Sequence, residues 1–259
     1  MWKFCFDKTS EGEKKGYVSG LPKGAVDMPV PASFADFFTD KYSKEYTGDF
    51  WYSTTFFADP AWADRDVDIR FFAAAHEATV YVNGKKLGEH HGGFLPFSYN
   101  LNGVLEYGKP NTVAVKLNNE LSCTTLPCGE YKVLKDGTKV TAPYFDFFNY
   151  SGLIRPVKLI ITPKVSIVDI TLNHILKDGG AVTEYSVQTS GEGEVWLSVY
   201  DEDGLKVAEA SGMSGEVEIS EVHLWQPLNA YLYTFVFEVY SEGNLVDSYP
   251  LEVGIRTVE

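Results

Sequence analysis

Alternation of apolar and polar residues with a period of two runs through most of this 259-residue sequence. It is clear at Val113, Val115 and Leu117, and it recurs over residues 157–161, 231–239 and 251–255. This period places the apolar side chains on one face of a half-buried strand. Helix signals are scarce, and the best is Ser33, which could cap one or two turns. The sequence therefore predicts an all-β fold without a long helix.

Short turn signals separate the predicted strands. Asparagine or aspartate followed by glycine favours tight hairpins, because both residue types tolerate a positive φ. Many short strands separated by such turns are typical of sandwiches or barrels rather than of a parallel α/β sheet. Turns are predicted at Asn83-Gly84, Asp136-Gly137, Asp203-Gly204 and Gly243-Asn244.

A domain boundary is predicted near Pro163. Before it the loops are long, and residues 118–148 look irregular apart from one hairpin. After it the strands follow at short, regular intervals, over a length close to the ~100 residues of an immunoglobulin-like sandwich. We therefore expect a jelly-roll β-sandwich at 1–163 and an immunoglobulin-like β-sandwich at 164–259.

The charge balance limits the partners of the chain. Lys and Arg number 22 against 36 Asp and Glu, which gives a net charge of −14. No basic run offsets this charge, so we expect neither nucleic acid nor an anionic membrane as a partner. No apolar run approaches the ~18–20 residues of a membrane span.

The cysteines give no disulfide framework. Cys123 and Cys128 could pair if their loop brought them together, but three cysteines with Cys5 are better read as free thiols in a reducing compartment. No secretory leader is visible, so a cytoplasmic location is expected. The chain begins with a strand pattern, which suggests a trimmed N-terminus and weakens that expectation.

No motif points to a cofactor or a metal. The sequence contains no G-x-S-x-G, H-E-x-x-H or G-x-x-x-x-G-K-[ST] motif. His90-His91 is the one histidine cluster, and neighbouring residues of a strand point to opposite faces. We expect neither a cofactor nor a metal.

The stretch from 143 to 155 is the best candidate for a binding site. Five aromatic residues surround one carboxylate and one amide there, a composition that suits a sugar because rings pack on C–H faces and polar groups bind hydroxyls. The alternative is a buried aromatic corner in which Asp146 pairs with Arg155. The residues are Tyr144, Phe145, Asp146, Phe147, Phe148, Asn149 and Tyr150.

This stretch and six others resemble segments of the β-glucuronidases of glycoside hydrolase family 2, in the family's order and over nearly the whole chain. Two departures are Cys128, where the family usually has the second proline of P-P-G, and the absence of the histidine that precedes the aspartate in some bacterial members. The other matching segments are 30–34, 46–52, 82–97, 118–127, 223–227 and 253–256.

Two of these segments also have a packing interpretation. Trp51-Tyr52 opens a strand and can supply a large area of core. Gly92-Gly93 permits a backbone turn that bulkier residues could not adopt.

The resemblance implies a galactose-binding-like jelly roll and an immunoglobulin-like domain, followed in the family by a (β/α)₈ barrel that carries both catalytic glutamates. Such a barrel needs ~250 residues of its own. The catalytic glutamates are therefore expected beyond residue 259. This chain would be the non-catalytic N-terminal fragment of a retaining β-glucuronidase, inactive alone.

In the family, the aspartate that matches Asp146 contacts sugar hydroxyls, and the resemblance assigns it that role here. Asn149 and Tyr150 are further candidates for substrate binding, or they only shape the loop. The resemblance also implies an apolar surface that meets the barrel and a homo-oligomer in the full-length protein. A β-galactosidase of the same family and a stand-alone carbohydrate-binding sandwich remain alternatives.

Overall fold

The computed structural model describes residues 1–257 and is almost entirely β, so the predicted fold class is confirmed. It divides into two compact units, Met1–Ile161 and Thr162–Glu259. Two α-helices of four residues each lie near the N-terminus. The helices are α1 (Phe34–Phe37) and α2 (Lys41–Lys44); the strands are β1 (Trp2–Phe6), β2 (Val26–Met28), β3 (Asp49–Phe57), β4 (Asp66–Phe71), β5 (Glu77–Val82), β6 (Lys85–His91), β7 (Phe97–Asn100), β8 (Pro110–Asn118), β9 (Gly129–Val133), β10 (Lys139–Pro143), β11 (Val157–Thr162), β12 (Ile167–Lys177), β13 (Gly180–Thr189), β14 (Glu194–Tyr200), β15 (Lys206–Ser211), β16 (Ser214–Ser220), β17 (Tyr233–Ser241) and β18 (Asn244–Val253).

The first unit is a β-sandwich of the jelly-roll type. A six-stranded sheet in the order β2-β1-β3-β8-β5-β6 faces a three-stranded sheet in the order β11-β4-β7. Their apolar faces form one core, in which Phe50 and Val115 of the larger sheet meet Phe71 of the smaller one. The period of two in the sequence creates these faces, because alternate side chains of a strand point to opposite sides.

A buried carboxylate fixes the outer face of the larger sheet. Asp7 is 4% exposed, and its Oδ2 accepts hydrogen bonds from Trp51 Nε1 at 3.0 Å and from the Gly12 amide at 2.7 Å. Its Oδ1 accepts from the Glu11 amide at 3.1 Å. One aspartate therefore ties the loop after β1 to the indole of Trp51.

The short helices follow the predicted signal only in part. α1 begins after Ser33, as expected, although the Ser33 side chain makes no capping hydrogen bond. α2 was not predicted; Asp40 caps it by accepting a hydrogen bond from the Ser43 amide at 2.8 Å.

The second unit is a seven-stranded sandwich, consistent with the immunoglobulin-like prediction. A three-stranded sheet, β12-β13-β16, faces a four-stranded sheet, β15-β14-β17-β18. Its core brings Tyr185 of the first sheet against Phe237 of the second, with ring centroids 6.1 Å apart. The predicted boundary residue, Pro163, lies between β11 and β12.

The tight turns agree with the sequence at most positions. Asn83 and Gly84 adopt φ values of 51° and 77° between β5 and β6, as their hairpin requires. The predicted turn at Gly243-Asn244 is wrong by one residue, since the turn is Glu242-Gly243 and Asn244 already begins β18. Glu242 takes the left-handed conformation that asparagine normally favours, and this is why the turn was predicted one residue too late.

All three cysteines are free thiols. Within residues 1–257, no helix has both the length and the apolar character needed to cross a membrane. The same residues contain no group of three or more histidine, cysteine or acidic side chains placed to share a metal ion.

Candidate functional site

The aromatic segment, residues 144–150, emerges from the end of the β9–β10 hairpin. Its first residue extends the hairpin, because the Tyr144 amide donates to the Cys128 carbonyl at 3.1 Å. All five of its rings are exposed, with fractional exposures between 38% and 63%. The alternative of a buried aromatic corner is therefore wrong.

The exposed rings support one another. Phe147 contacts Tyr150 edge to face at a centroid distance of 6.2 Å, and Phe148 lies 5.0 Å from Tyr150. Phe94, from the loop after β6, reaches Phe147 at 6.5 Å. The segment thus presents a connected apolar surface, the kind of patch that marks an interaction site.

Asp146 lies in the middle of this surface and is itself exposed. No hydrogen bond or ion pair to its carboxylate is found among residues 1–257, and Arg155 is exposed without contacting it. The predicted alternative pairing of these two residues is therefore absent. Both carboxylate oxygens remain open to hydrogen-bond donors from a ligand.

Asn149, the second candidate, is held by the protein. Its Oδ1 lies 2.5 Å from His76 Nε2, and its Nδ2 donates to the Asn119 carbonyl at 3.1 Å. Its backbone carbonyl accepts from Ser151 Oγ at 3.1 Å. In this arrangement the Asn149 amide shapes the loop. Tyr150, the third candidate, keeps an exposed ring.

His76 is a residue that the sequence analysis left without a role. It lies immediately before β5 and is 2% exposed, its amide donates to the Asn118 carbonyl, and its carbonyl accepts from the Gly92 amide. Burial lowers the pKa of His76, and the hydrogen bond to Asn149 opposes that shift in part. The ring is therefore neutral at pH 7.

The hydrogen-bond pattern fixes the tautomer of that neutral ring. One end of the Asn149 amide faces a carbonyl and must be its NH₂ group, so the other end is oxygen and only accepts. His76 Nε2 must then carry the proton. Nδ1 is buried and has no hydrogen-bond partner among residues 1–257, so in this tautomer the unused group is an acceptor and not an N–H donor.

A glycine makes room for this ring. A Cβ on Gly93 would lie only 2.8 Å from His76 Nδ1, so a larger residue there would displace the histidine. The Gly92-Gly93 pair was predicted to serve a turn, and Gly92 does adopt a φ of 121°. The glycine pair was the only sequence signal of a close contact here, and it could not identify Asn149 as the partner of His76.

A buried asparagine joins the segment to the rest of the unit. Asn119 Oδ1 accepts from the Gly48 amide at 2.9 Å, and its Nδ2 donates to the Tyr46 carbonyl at 2.8 Å and to Ser151 Oγ at 3.1 Å. Asn119 is 2% exposed. Buried hydrogen bonds between uncharged groups hold the local structure in one arrangement when every donor and acceptor is paired.

Just after the aromatic segment, the backbone makes a close contact with another part of the chain. Gly152 forms a bridge with Ala75, with hydrogen bonds of 3.0 Å and 3.2 Å in the two directions. Its φ is 121°, and a Cβ here would overlap the hydroxyl oxygen of Tyr52, which is fully buried. Glycine alone fits this place without strain.

Two clefts adjoin each other on this side of the unit. One, of 310 Å³, is lined by Phe147, Phe148 and Asn149. The other, of 590 Å³, is larger, and the two share Glu45, Tyr46 and Val140 in their walls. Asp146 lines neither cleft, so the carboxylate projects from the surface rather than into a closed pocket.

The chemistry available here is binding. The segment offers one unpaired carboxylate and several ring faces, which can hold a sugar by hydrogen bonds and C–H packing. Hydrolysis of a glycosidic bond takes two carboxyl groups on either side of that bond. The aromatic segment contains a single acid.

Family models match both units of the chain. Residues 1–163 match the model described as "Glycosyl hydrolases family 2, sugar binding domain", and residues 157–256 match "Glycosyl hydrolases family 2". Curated relatives include a β-glucuronidase of Paenibacillus borealis, 39% identical over 266 residues that cover 100% of this chain and 45% of the relative. The dog β-glucuronidase is 33% identical and is covered over 44% of its length.

Solved structures give the same result. A β-glucuronidase from Ruminococcus gnavus in complex with D-glucuronic acid superposes with a TM-score of 0.94 at 44% identity, covering 100% of this chain and 45% of that one. Another structure of Ruminococcus gnavus β-glucuronidase reaches 0.95 at 45% identity, with 43% of its chain covered. The chain thus spans less than half the length of the relatives that it matches.

Proposed function

Because this chain belongs to family 2 of the glycosyl hydrolases, we propose that it positions the sugar for a longer retaining β-glucuronidase. In this proposal it is the non-catalytic N-terminal part of the enzyme. A C-terminal barrel, with its two catalytic glutamates beyond residue 259, cleaves the O-glycosyl bond of a β-glucuronide.

The observation that carries the proposal is the state of Asp146. Its carboxylate is exposed and makes no hydrogen bond or ion pair within residues 1–257. A carboxylate with two open oxygens suits hydrogen bonds from sugar hydroxyls, each of about 1.5–3 kcal/mol. In this role Asp146 binds and orients the sugar and transfers no proton at the scissile bond.

The surface around Asp146 supports a covering partner. The five exposed rings of the aromatic segment form an apolar patch that is unfavourable in water. We assign this patch to contact with the C-terminal barrel, which would leave Asp146 pointing at the shared sugar. The homo-oligomer implied by the family is part of the same proposal for the longer protein.

The first test uses substitution in the longer, barrel-containing protein. Asp146→Asn keeps the size of the side chain and removes its charge, and it should lower kcat/KM on an aryl β-glucuronide about ten-fold or more. Asp64→Asn is the matched control, since Asp64 is an exposed carboxylate of the same unit outside the aromatic segment. Equal kcat/KM for the Asp146 variant and the control would contradict the proposal.

The second test uses the 259-residue chain by itself. We expect no turnover of an aryl glucuronide and little or no heat on titration with glucuronate, because half of the site is missing. Tight binding of a sugar by the isolated chain would favour a stand-alone carbohydrate-binding protein. Faster cleavage of an aryl β-galactoside than of the glucuronide by the longer protein would favour the β-galactosidase alternative.

A further inference from the structure

Few bonds hold the part of the aromatic segment that carries Asp146. Between the Tyr144 amide and the Gly152 bridge, the backbone of residues 145–149 hydrogen-bonds within the described chain only to the two residues that follow it: the Phe148 carbonyl accepts from the Tyr150 amide, and the Asn149 carbonyl accepts from Ser151 Oγ. Within this stretch, the side chain that bonds outward is that of Asn149, three residues from Asp146. The placement of Asp146 therefore depends on what holds Asn149.

Two side-by-side contacts connect this region to the start of β5. Ala75 forms the backbone bridge to Gly152, and the next residue, His76, bonds to Asn149 through its ring. The bridge holds the two backbone segments at a fixed distance from each other, so that the His76 imidazole can hydrogen-bond to the Asn149 amide. The hydrogen bond between His76 and Asn149 therefore joins two segments of the chain that are 73 positions apart in the sequence.

The imidazole cannot easily swing away from Asn149. It is buried, Gly93 packs so closely against it that a Cβ there would lie 2.8 Å from Nδ1, and the Phe94 ring lies in an edge-to-face arrangement at a centroid distance of 6.1 Å. The ring therefore presents its Nε2 proton in one direction. A rigid donor is what a positioning contact needs.

We propose that His76 is a positioning residue, which places Asp146 by donating its Nε2 proton to Asn149 Oδ1. It touches no sugar itself. The functional part of this inference rests on the proposed role of Asp146 in binding sugar. The structural part, that His76 orders the segment, stands on the contacts alone.

The structural part is tested by NMR on the 259-residue chain. We expect the ring nitrogen shifts of His76 to show the Nε2–H tautomer and the amides of residues 145–149 to have order parameters near 0.85. In His76→Leu, which keeps the bulk but has no donor, these order parameters should fall below about 0.6. His76→Gln retains an N–H donor and should restore much of the order.

Unchanged order parameters in His76→Leu would overturn the inference, as would the Nδ1–H tautomer in the wild type. If His76→Leu does not fold, Asn149→Leu breaks the same bond from the half-buried side and must give the same loss of order. Order retained in that variant would equally refute the role of the bond.

The functional part is tested in the longer protein. His76→Leu should lower kcat/KM on an aryl glucuronide about ten-fold, and it should have little further effect when Asp146 is already asparagine. A full, additive loss in the Asp146→Asn background would show that His76 acts elsewhere. If Asp146→Asn is itself silent, the proposed function fails, whereas the NMR result still decides whether His76 orders the segment.

Discussion

Gly152→Ala is predicted to destabilise the first unit strongly, through two separable causes. The backbone of Gly152 has a φ of 121°, which residues with a side chain rarely adopt. The added methyl would also overlap the hydroxyl oxygen of Tyr52 and lie 3.3 Å from the Ala32 carbonyl oxygen. Tyr52 is fully buried, so its ring cannot turn out into solvent to relieve the overlap.

The structure sets the size of the effect. A non-glycine residue held in a sparsely populated backbone region costs about 1–3 kcal/mol. Overpacking of a well-packed interior costs a further ~1–3 kcal/mol. The free energy of unfolding of Met1–Ile161 should therefore fall by about 2–6 kcal/mol, and the bridge to Ala75 should loosen with it.

Hydrogen exchange followed by mass spectrometry at increasing urea measures this loss, because each peptide reports on one unit and the second unit is an internal reference. Tyr52→Phe in the Gly152→Ala background removes the overlapping oxygen and should recover only the packing part. Gly92→Ala isolates the backbone part, since its φ is also 121° and the nearest atom to the added methyl, His90 Nε2, lies at an ordinary contact distance of 3.8 Å. If Gly152→Ala costs no more than Gly92→Ala, the packing argument is refuted.

Three further outcomes are expected. Asp7→Ala leaves the buried indole N–H of Trp51 and two amides without an acceptor and should lower the free energy of unfolding by at least ~3 kcal/mol in urea titrations. At pH 8 a thiol reagent should label the exposed Cys123 readily and Cys5 slowly, because burial raises the pKa of Cys5 to about 11, so that only ~0.1% is thiolate; comparable labelling rates in the folded chain would contradict this. Burial lowers the folded-state pKa of His76 below its ordinary 6.5, so the unfolded chain binds a proton that the folded chain does not, and the stability of the first unit should fall as the pH drops below ~6.5. His76→Gln should reduce that slope, and an identical pH profile for the variant would argue against it.

The sequence predicted the strands because their cause is local. Val113, Val115 and Leu117 alternate with polar or small neighbours, and each is buried in β8. Trp51 and Tyr52, predicted to belong to the core, are both fully buried. In each case the identity of one residue and its nearest neighbours is enough to assign its environment.

The hydrogen bonds that hold the candidate site join residues that are distant in the sequence, so they could not be predicted. His76 and Asn149 are 73 positions apart, and neither residue type announces a partner. The exposure of the aromatic segment was also ambiguous, because a run of rings suits a buried corner as well as a surface. Only the position of the segment, beyond the end of β10, distinguishes the two.

The Asn119 junction has a consequence for how this sequence can diverge. One side chain bonds to the backbone of Tyr46 and Gly48 and to the hydroxyl of Ser151, while its own carbonyl receives Asn149. A replacement of Asn119 leaves unsatisfied groups in three places at once, and no single second change repairs them all. Mutational drift in the aromatic segment is therefore tied to the loop before β3, and these stretches are expected to change together or not at all.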